Sequence, residues 1–349
     1  MKYRKIDKTD IELSLFGLGC WAFGGGDYWG GNHDQKEVNK VVHAATDLGV
    51  NYFDSAEVYN EGRSETSLGL AIKDLSRDKL IVGTKISPSN CFPGKIAQHC
   101  EASLKRLNTD YIDIYMVHWP IHPHSIRHYT NDEAIINNPP ILEEAMEGLL
   151  TLQKEGKIRY IGVSNHGASR LESFPEKDSI VINELPYNLL CRAPEYEILP
   201  YCKEKGIGVI GYMSLLQGIL ADLYPTIDDI PMLMKRTRHF DDRKNKLSRH
   251  GENGFEKETQ ATLDALRKIS KEVGISMPDL ALKWAVVNEA ISTSLVGVRS
   301  VKRLEANIKA INEPLDQNII TELNLATNTL KDEMGGNLDY YEGAKNDRT

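Results

Sequence analysis

Short apolar runs recur along the chain, and most precede a segment whose apolar residues are spaced three and four positions apart. The first pattern is typical of buried strands and the second of amphipathic helices. The predicted strands are Leu15–Leu18, Asn51–Asp54, Leu80–Thr84, Ile112–Val117, Arg159–Val163, Ile180–Asn183, Gly208–Tyr212 and Ser294–Val298. The predicted helices are Gln35–Leu48, Ser64–Leu75, Gly94–Leu107, Leu142–Lys154, Ala168–Ser173, Glu195–Lys205 and Lys257–Val273. Strands that alternate with helices predict an α/β protein with a parallel sheet.

Eight such strands favour a closed (β/α)8 TIM barrel over an open, doubly wound sheet. An open nucleotide-binding sheet usually carries a glycine-rich turn between its first strand and first helix. Here the nearest glycine run, Gly24–Gly26, is separated from the next predicted helix by Asp27–Asp34, so it is interpreted as a loop.

The remaining residues are expected in three insertions. Long loops, Trp119–Pro140 and Gln217–Phe255, follow the fourth and seventh predicted barrel strands. Tyr3–Ile6 and Ile11–Ser14 form a predicted N-terminal β-hairpin that closes the barrel floor. No linker rich in proline or serine divides the chain, so residues 1–349 are predicted to form one domain.

Composition narrows the range of partners. A formal net charge of −8 argues against nucleic acid and anionic membranes, which favour basic surfaces. The opening MKYRKIDKTD lacks the apolar core of a signal peptide, and no stretch approaches the roughly 20 apolar residues of a membrane span. The five cysteines are odd in number and include no C-x-x-C pair, which indicates a reducing compartment. We therefore expect a cytoplasmic protein with no nucleic-acid or membrane partner.

Ionisable residues stand at the ends of three successive predicted strands. Asp54 ends the second strand and precedes Tyr59, Lys85 follows the third, and His118 follows the fourth. Any one of them alone is more often solvated or structural. The active sites of TIM barrels lie at the carboxyl ends of the strands, so the fold would bring all four together.

The four residue types suit carbonyl reduction by hydride transfer. The alkoxide that develops needs a proton and electrostatic stabilisation. Tyr59 can donate the proton, Lys85 is expected to lower the tyrosine pKa, and Asp54 would keep the lysine charged. His118 can orient the carbonyl oxygen. The sequence thus predicts a catalytic group of Asp54, Tyr59, Lys85 and His118.

An ordered set of motifs resembles the aldo-keto reductase family from about Leu15 to Asn307. The matching motifs are Gly49–Tyr59, Gly62–Glu65, Leu68–Gly69, Thr84–Lys85, Asp113–Pro120 and Gly162–Asn165. The resemblance implies a (β/α)8 barrel that binds NADP(H) in extended form without a Rossmann domain. The implied contacts at the nicotinamide and pyrophosphate are Ser164, Asn165, Glu184, Tyr212, Ser214, Leu215 and Gln217.

The resemblance also implies a clamp for the adenosine phosphate within Gly297–Asn307. Arg299, Ser300 and Arg303 would hold the 2′-phosphate and Asn307 would lie at the adenine, which predicts NADPH rather than NADH as the cofactor. Guanidinium groups at a helix N-terminus suit a phosphate. The alternative is an ordinary basic first turn of an exposed helix.

The cofactor pocket departs from the family pattern at Glu184, where glutamine is usual, and at Met213-Ser214-Leu215, where Ser-Pro-Leu is usual. An ionised Glu184 cannot donate a hydrogen bond to the carboxamide oxygen and would favour the positively charged NADP+. Alternatively, Glu184 turns toward water or a nearby base.

Aromatic residues are expected around the substrate. Trp21 and Trp119 would line the pocket, and Tyr28 and Trp29 either close over it or belong to a flexible glycine loop.

Two clusters of cationic or potentially cationic residues invite other interpretations. His122, His124 and His128 lie in a loop with no carboxylate at a recognisable ligand spacing, so no metal site is predicted. The loop after the seventh strand is rich in basic residues. It is either solvated or a lid over cofactor phosphates or an anionic substrate. Its basic residues and histidines are Lys235, Arg236, Arg238, His239, Arg243, Lys244, Lys246, Arg249 and His250.

The favoured function is the reduction of an aldehyde or ketone, with a polar or sugar-like small molecule as the expected substrate. The alternatives are an NADP(H)-binding redox-sensing subunit and a metal-dependent hydrolase on the same barrel. Neither the particular substrate nor the oligomeric state follows from the sequence.

Overall fold

Eight parallel strands close into a barrel in this computed structural model, which describes residues 1–26 and 34–349. They are β3 (Phe16–Gly19), β4 (Tyr52–Asp54), β5 (Ile81–Ile86), β6 (Ile112–Val117), β7 (Ile158–Ser164), β8 (Ile180–Pro186), β9 (Gly208–Tyr212) and β10 (Ile291–Val296). They pair in chain order, and β10 pairs with β3 to close the sheet. The predicted (β/α)8 TIM barrel is confirmed. Tyr28 and Trp29 lie outside the described residues.

Helices surround the barrel. They are α1 (Gln35–Asp47), α2 (Arg63–Ile72), α3 (Lys95–Leu107), α4 (Pro123–Ile126), α5 (Glu133–Asn137), α6 (Leu142–Lys154), α7 (Ala168–Glu172), α8 (Ile198–Lys205), α9 (Glu256–Val273), α10 (Met277–Ala285), α11 (Val301–Asn312) and α12 (Gln317–Met334). In the described ranges, no helix has the length and apolar character that crossing a bilayer requires.

Two helices near the end of the chain, α10 and α12, were not predicted. In α10, seven of nine residues are buried, so the helix has no broad polar face. Polar residues interrupt the apolar stripe of α12, where Asn324 and Thr327 lie between buried Leu323 and Leu330.

The N-terminal hairpin is confirmed, with β1 (Tyr3–Lys5) antiparallel to β2 (Glu12–Ser14). Its apolar residues Ile6, Ile11 and Leu13 are buried in a cluster with side chains from the barrel strands. The barrel members of that cluster include Tyr52, Ile81, Ile114, Met116, Ile182, Ile210 and Leu295. The hairpin therefore closes one end of the barrel, and the chemistry is left to the other end.

Both long connections are present where they were expected. The connection after β6 carries the short helices α4 and α5, and the connection after β9 consists of turns and single-turn helices before α9. Within the latter, Asn245 donates hydrogen bonds to the carbonyls of Met232 and Lys235, at 2.8 and 2.7 Å. This connection is therefore internally ordered rather than extended over solvent.

Gly69 allows α2 to pack closely against the end of α3. A Cβ atom at this position would lie 2.4 Å from the carbonyl oxygen of Arg106 and 2.6 Å from the carbonyl carbon of Leu107. Both are backbone atoms, so relief would require the helices to separate.

We predict that Gly69→Ala lowers the free energy of unfolding by about 2 kcal/mol, because overpacking outweighs the gain in helix propensity. Gly148→Ala is the matched control, since its Cβ would meet only the flexible Cδ1 end of Ile96, at 2.8 Å. Urea denaturation would measure both variants. Equal stability for the two would show that the helix contact tolerates a methyl group.

Candidate active site

A buried ion pair lies at the carboxyl end of the barrel. Lys85, in β5, donates hydrogen bonds from Nζ to both carboxylate oxygens of Asp54, each at 2.7 Å, and to the carbonyl of Ser55 at 2.9 Å. The side chain of Lys85 is fully buried and that of Asp54 is 4% exposed. Burial acts to lower the pKa of Lys85, but the neighbouring carboxylates outweigh it and raise the pKa above its usual value. The lysine is therefore a fixed cation.

Tyr59 and His118 lie beside this pair. The Lys85 Nζ atom is 5.1 Å from the centre of the Tyr59 ring, and the Tyr59 and His118 rings meet edge to face with centroids 5.5 Å apart. The structure thus brings together all four residues that were predicted to be catalytic.

The net pKa of Tyr59 differs from the sequence-based expectation. Burial raises the pKa of the phenol above its ordinary value, and Lys85 only partly offsets this. Burial, reinforced by Lys85, lowers the pKa of His118 well below its ordinary value. Near neutral pH the site therefore presents a protonated phenol and a neutral imidazole. Among the described residues, no group forms a hydrogen bond with His118 Nδ1.

Glu184, in β8, faces the same lysine. Its Oε2 atom lies 3.3 Å from Lys85 Nζ, and its side chain is 4% exposed. Burial and the proximity of Asp54 raise the pKa of Glu184 to about 8, despite Lys85. Glu184 has thus turned toward the ion pair and is mainly protonated at neutral pH.

The predicted nicotinamide contacts at the ends of β7 and β9 form one hydrogen-bonded group. Asn165 donates from Nδ2 to Ser164 Oγ at 2.8 Å and to the His118 carbonyl at 3.3 Å. The Tyr212 hydroxyl donates to Asn165 Oδ1 at 2.7 Å. Asn165 has a φ of 63°, a left-handed conformation that asparagine tolerates. These links hold polar side chains next to His118.

The predicted pyrophosphate segment after β9 is strongly turned, with positive φ at Met213, Leu216 and Gln217. The Ser214 hydroxyl donates to the carbonyl of Leu295 at 2.7 Å, so this side chain fastens the segment to β10. Leu215 and Gln217 are half-buried, and Gln217 Nε2 donates to the Tyr341 hydroxyl at 2.7 Å.

The predicted phosphate clamp lies at the start of α11. Ser300 is the N-cap, and its side chain accepts a hydrogen bond from the backbone N–H of Arg303 at 3.3 Å. Gly297, Arg299, Ser300 and Arg303 are exposed, whereas Asn307 is buried on the inner face of the helix. The first turn thus combines basic side chains with a helix N-terminus. Its donors suit a phosphate, and the polar group at the nicotinamide end suits a carboxamide, so the residues fit NADP(H).

Trp21 and Trp119 lie beside the four residues predicted to be catalytic, and Trp119 is covered by a segment that the sequence analysis missed. Trp21 lies 6.0 Å from Tyr59 between ring centroids. The guanidinium carbon of Arg348 lies 3.7 Å from the Trp119 ring centre, and Arg348 is held by hydrogen bonds of 2.6 and 2.8 Å to Asp339. The C-terminal segment after α12 therefore packs over Trp119 beside His118. The sequence feature that could have indicated this segment is the run of aromatic and charged residues after the last helix.

Tyr129 was also missed, and its ring centre is 5.7 Å from that of His118. It comes from the connection after β6, so its position depends on how that connection folds.

Many basic residues of the connection after β9 are paired with acids. Arg238 bonds Glu252 at 2.8 Å, Arg243 bonds Asp241 at 2.7 Å, and Lys244 contacts Glu256. Arg249 lies 3.3 Å from Glu342. Much of the positive charge of this connection is therefore engaged in ion pairs with nearby carboxylates. Across the described ranges, no cluster of three or more His, Cys, Asp or Glu side chains is arranged to hold a metal ion.

Comparison with known proteins identifies the family. The sequence model of the aldo/keto reductase family matches residues 16–327. A Bacillus subtilis protein named aldo-keto reductase YhdN is 34% identical over 346 residues, covering 96% of both chains. The NADH-specific methylglyoxal reductase of Escherichia coli is 31% identical over 330 residues, covering 89% of this chain and 94% of its own.

A crystal structure of an aldo/keto reductase from Klebsiella pneumoniae, in complex with NADP and acetate, has the same fold. Its TM-score is 0.66 at 24% identity, covering 90% of this chain and 92% of the other. Taken together, these matches show that the chain belongs to the aldo-keto reductase family. It is an NAD(P)-dependent oxidoreductase of carbonyl compounds.

We predict that Asp339→Asn destabilises the protein by about 3 kcal/mol, because it leaves the buried Arg348 charge without its anionic partner. The double variant Asp339→Asn/Arg348→Met should recover most of this loss, since it removes the charge as well. Thermal unfolding of the three proteins measures the effect. A double variant no more stable than the single one would mean that the ion pair is not what anchors the segment.

Proposed function

We propose that this enzyme reduces an aldehyde or ketone to an alcohol with NADPH, and that Tyr59 is the general acid. The whole chain, residues 1–349, would act as one domain. The observation that carries the proposal is the cluster of Tyr59, His118 and the Lys85–Asp54 ion pair at the carboxyl end of the barrel. NADPH, when bound, supplies the hydride.

Proton donation is assigned to the Tyr59 hydroxyl. Its raised pKa keeps the phenol protonated at neutral pH, so the donor already carries its proton before the reaction begins. Loss of the proton leaves a phenolate near the ammonium group of Lys85, whose positive charge stabilises it. Asp54 fixes that ammonium group in place. Both groups are buried, so their interaction is less weakened by water than it would be at the surface.

His118 is proposed to orient the carbonyl oxygen. A neutral imidazole can donate one hydrogen bond without competing with Tyr59 as the proton source. Its lowered pKa keeps it neutral, and among the described residues Nδ1 has no hydrogen-bond partner.

The preference for NADPH rests on the first turn of α11. Arg299 and Arg303 are exposed there, and the helix N-terminus favours an anion. The E. coli relative is named NADH-specific, so family membership alone does not fix the choice.

For the substrate, we propose a polar, small carbonyl compound. The aromatic residues Trp21, Trp119 and Tyr129 lie near the catalytic group and supply apolar walls. Arg348 and His118 add polar groups at the same place.

We predict that Tyr59→Phe lowers kcat for carbonyl reduction by a factor of about 100 to 10,000, because only the donated proton is removed. NADPH affinity, measured by fluorescence titration, should change little. A panel of polar and apolar aldehydes and ketones provides the substrates.

The control for this test is Tyr196→Phe, which removes a hydroxyl from an exposed tyrosine. Unchanged turnover in Tyr59→Phe would rule out Tyr59 as the donor. Tight NADPH binding by the wild-type protein, with no reduction of any compound in the panel, would favour the redox-sensing alternative instead.

We predict that Arg299→Ala/Arg303→Ala raises the KM for NADPH at least tenfold and changes the KM for NADH little. Each charge-assisted hydrogen bond to the 2′-phosphate contributes about 1.5 to 3 kcal/mol, and NADH lacks that group. Lys309→Ala is the control, since this exposed lysine lies in the last turn of the same helix. Steady-state kinetics with both cofactors measures the two KM values. A wild-type enzyme that uses NADH equally well would contradict the preference.

A further inference from the structure

Three charged or chargeable side chains share one buried site at the carboxyl end of the barrel. Lys85 is flanked by Asp54 at 2.7 Å and by Glu184 at 3.3 Å, and all three side chains are no more than 4% exposed. One ammonium group can balance one carboxylate. A second buried carboxylate without a further cation would be strongly unfavourable, so it takes up a proton instead.

The contacts of the two acids show which one holds that proton. Asp54 accepts two hydrogen bonds from Lys85, at 2.7 Å each, and one from the Tyr52 hydroxyl at 3.3 Å. Glu184 Oε2 is buried and receives no well-aligned hydrogen bond from Lys85 Nζ, which is 3.3 Å away, and the Glu184 side chain is close enough to hydrogen-bond Asp54. The N–H groups of the lysine are directed at Asp54 and at the carbonyl of Ser55. Asp54 is therefore the carboxylate, and Glu184 is the acid.

We propose that Glu184 is a positioning residue of the catalytic centre: it holds the one proton of the Asp54–Glu184 pair and thereby sets the net charge that Lys85 and Tyr59 experience. The proposal rests on the proposed function for the role of Tyr59. It assigns Glu184 to the proton-transfer group, whereas the family resemblance placed it only among the nicotinamide contacts.

The surroundings of Glu184 define how this charge changes with pH. The ionisable groups that act on Glu184, or are acted on by it, come from β4, β5, β9 and the turn after β4. They are Asp54, Tyr52, Lys85, Tyr212 and Tyr59. Lys85 is the cation in this set. With Glu184 protonated, the Asp54–Lys85–Glu184 group is neutral, and with Glu184 ionised it carries one negative charge.

The pKa direction agrees with the contacts. Burial and the proximity of Asp54 raise the pKa of Glu184 to about 8, so the change from neutral to negative falls just above neutral pH. An ionised Glu184 raises the pKa of Tyr59 further, because a second anion opposes formation of the phenolate.

An ionised Glu184 affects the rate of alcohol oxidation in one clear direction. Tyr59 must first lose its proton to act as the base, and an anion at Glu184 opposes that loss. The resemblance places the nicotinamide ring beside Glu184, where the same anion would stabilise the positively charged ring of NADP+. Hydride transfer to that ring, which makes the ring neutral, would then be slower. Both effects slow oxidation. In carbonyl reduction they oppose each other, so that direction is the weaker test.

The first experiment locates the proton without using turnover. The enzyme is labelled with glutamate carrying 13C at the side-chain carboxyl, and the carboxyl signals are followed by NMR between pH 4 and 10. The Glu184 signal is the one missing from Glu184→Gln. We expect its midpoint near pH 8. Glu147→Gln, which removes an exposed glutamate on α6, is the control for signal assignment and should leave the Glu184 signal in place. A Glu184 midpoint below pH 6 would overturn the proposal.

The second experiment measures the charge effect on Tyr59. The kcat for alcohol oxidation is followed from pH 6 to 10 in the wild type, Glu184→Gln and Glu147→Gln. Glutamine is nearly isosteric and cannot ionise, so Glu184→Gln should move the rise of kcat with pH downward by about one unit and increase kcat above pH 8 by about three- to tenfold. Glu147→Gln should follow the wild type.

The two experiments separate the proposal from the proposed function. If the enzyme reduces no carbonyl compound, the proposed function fails, yet the NMR titration still shows whether Glu184 holds the proton. If Glu184 titrates near pH 8 but the oxidation profile of Glu184→Gln matches that of the wild type, the assignment to the proton-transfer group is wrong. Circular dichroism of Glu184→Gln checks that the fold is retained.

Discussion

The burial of one lysine ammonium group constrains the whole carboxyl end of the barrel. A cation in a fully buried position persists only when anions and hydrogen-bond acceptors surround it. Lys85 has these in Asp54 and the Ser55 carbonyl, and Glu184 lies close by. The ion pair raises the pKa of Lys85, while the nearby charge of that lysine helps to keep His118 neutral. Burial and this single charge together set the protonation states of the site.

The barrel keeps that charge in a fixed place because its packing leaves little freedom. The N-terminal hairpin fills one end with Ile6, Ile11 and Leu13, and water is thereby kept from the floor of the site. At the other end, the segment after α12 lies over Trp119 through the Arg348–Asp339 ion pair. The site is therefore enclosed from two sides, and its electrostatic interactions act in a medium of low polarity.

The proposed cofactor contacts divide into two chemically different regions. Next to the catalytic group, Ser164, Asn165 and Tyr212 form a neutral hydrogen-bonding network suited to an amide. At the start of α11, Arg299 and Arg303 provide exposed positive charge suited to a phosphate. This arrangement uses strand ends and one helix terminus in place of a glycine-rich nucleotide-binding turn. If the proposed contacts hold the cofactor, nucleotide binding needs no Rossmann domain.

The sequence by itself determined the barrel, the N-terminal hairpin and the four residues of the proposed catalytic group. Strand ends in a closed parallel barrel converge whatever the details of packing, so Asp54, Lys85 and His118 were predictable from their positions alone. The tertiary structure alone decided that Glu184 faces Lys85, that burial outweighs the lysine in setting the Tyr59 pKa, and that Arg348 returns to cover Trp119. These features depend on contacts between residues distant in sequence and on the exclusion of water, which no local pattern encodes.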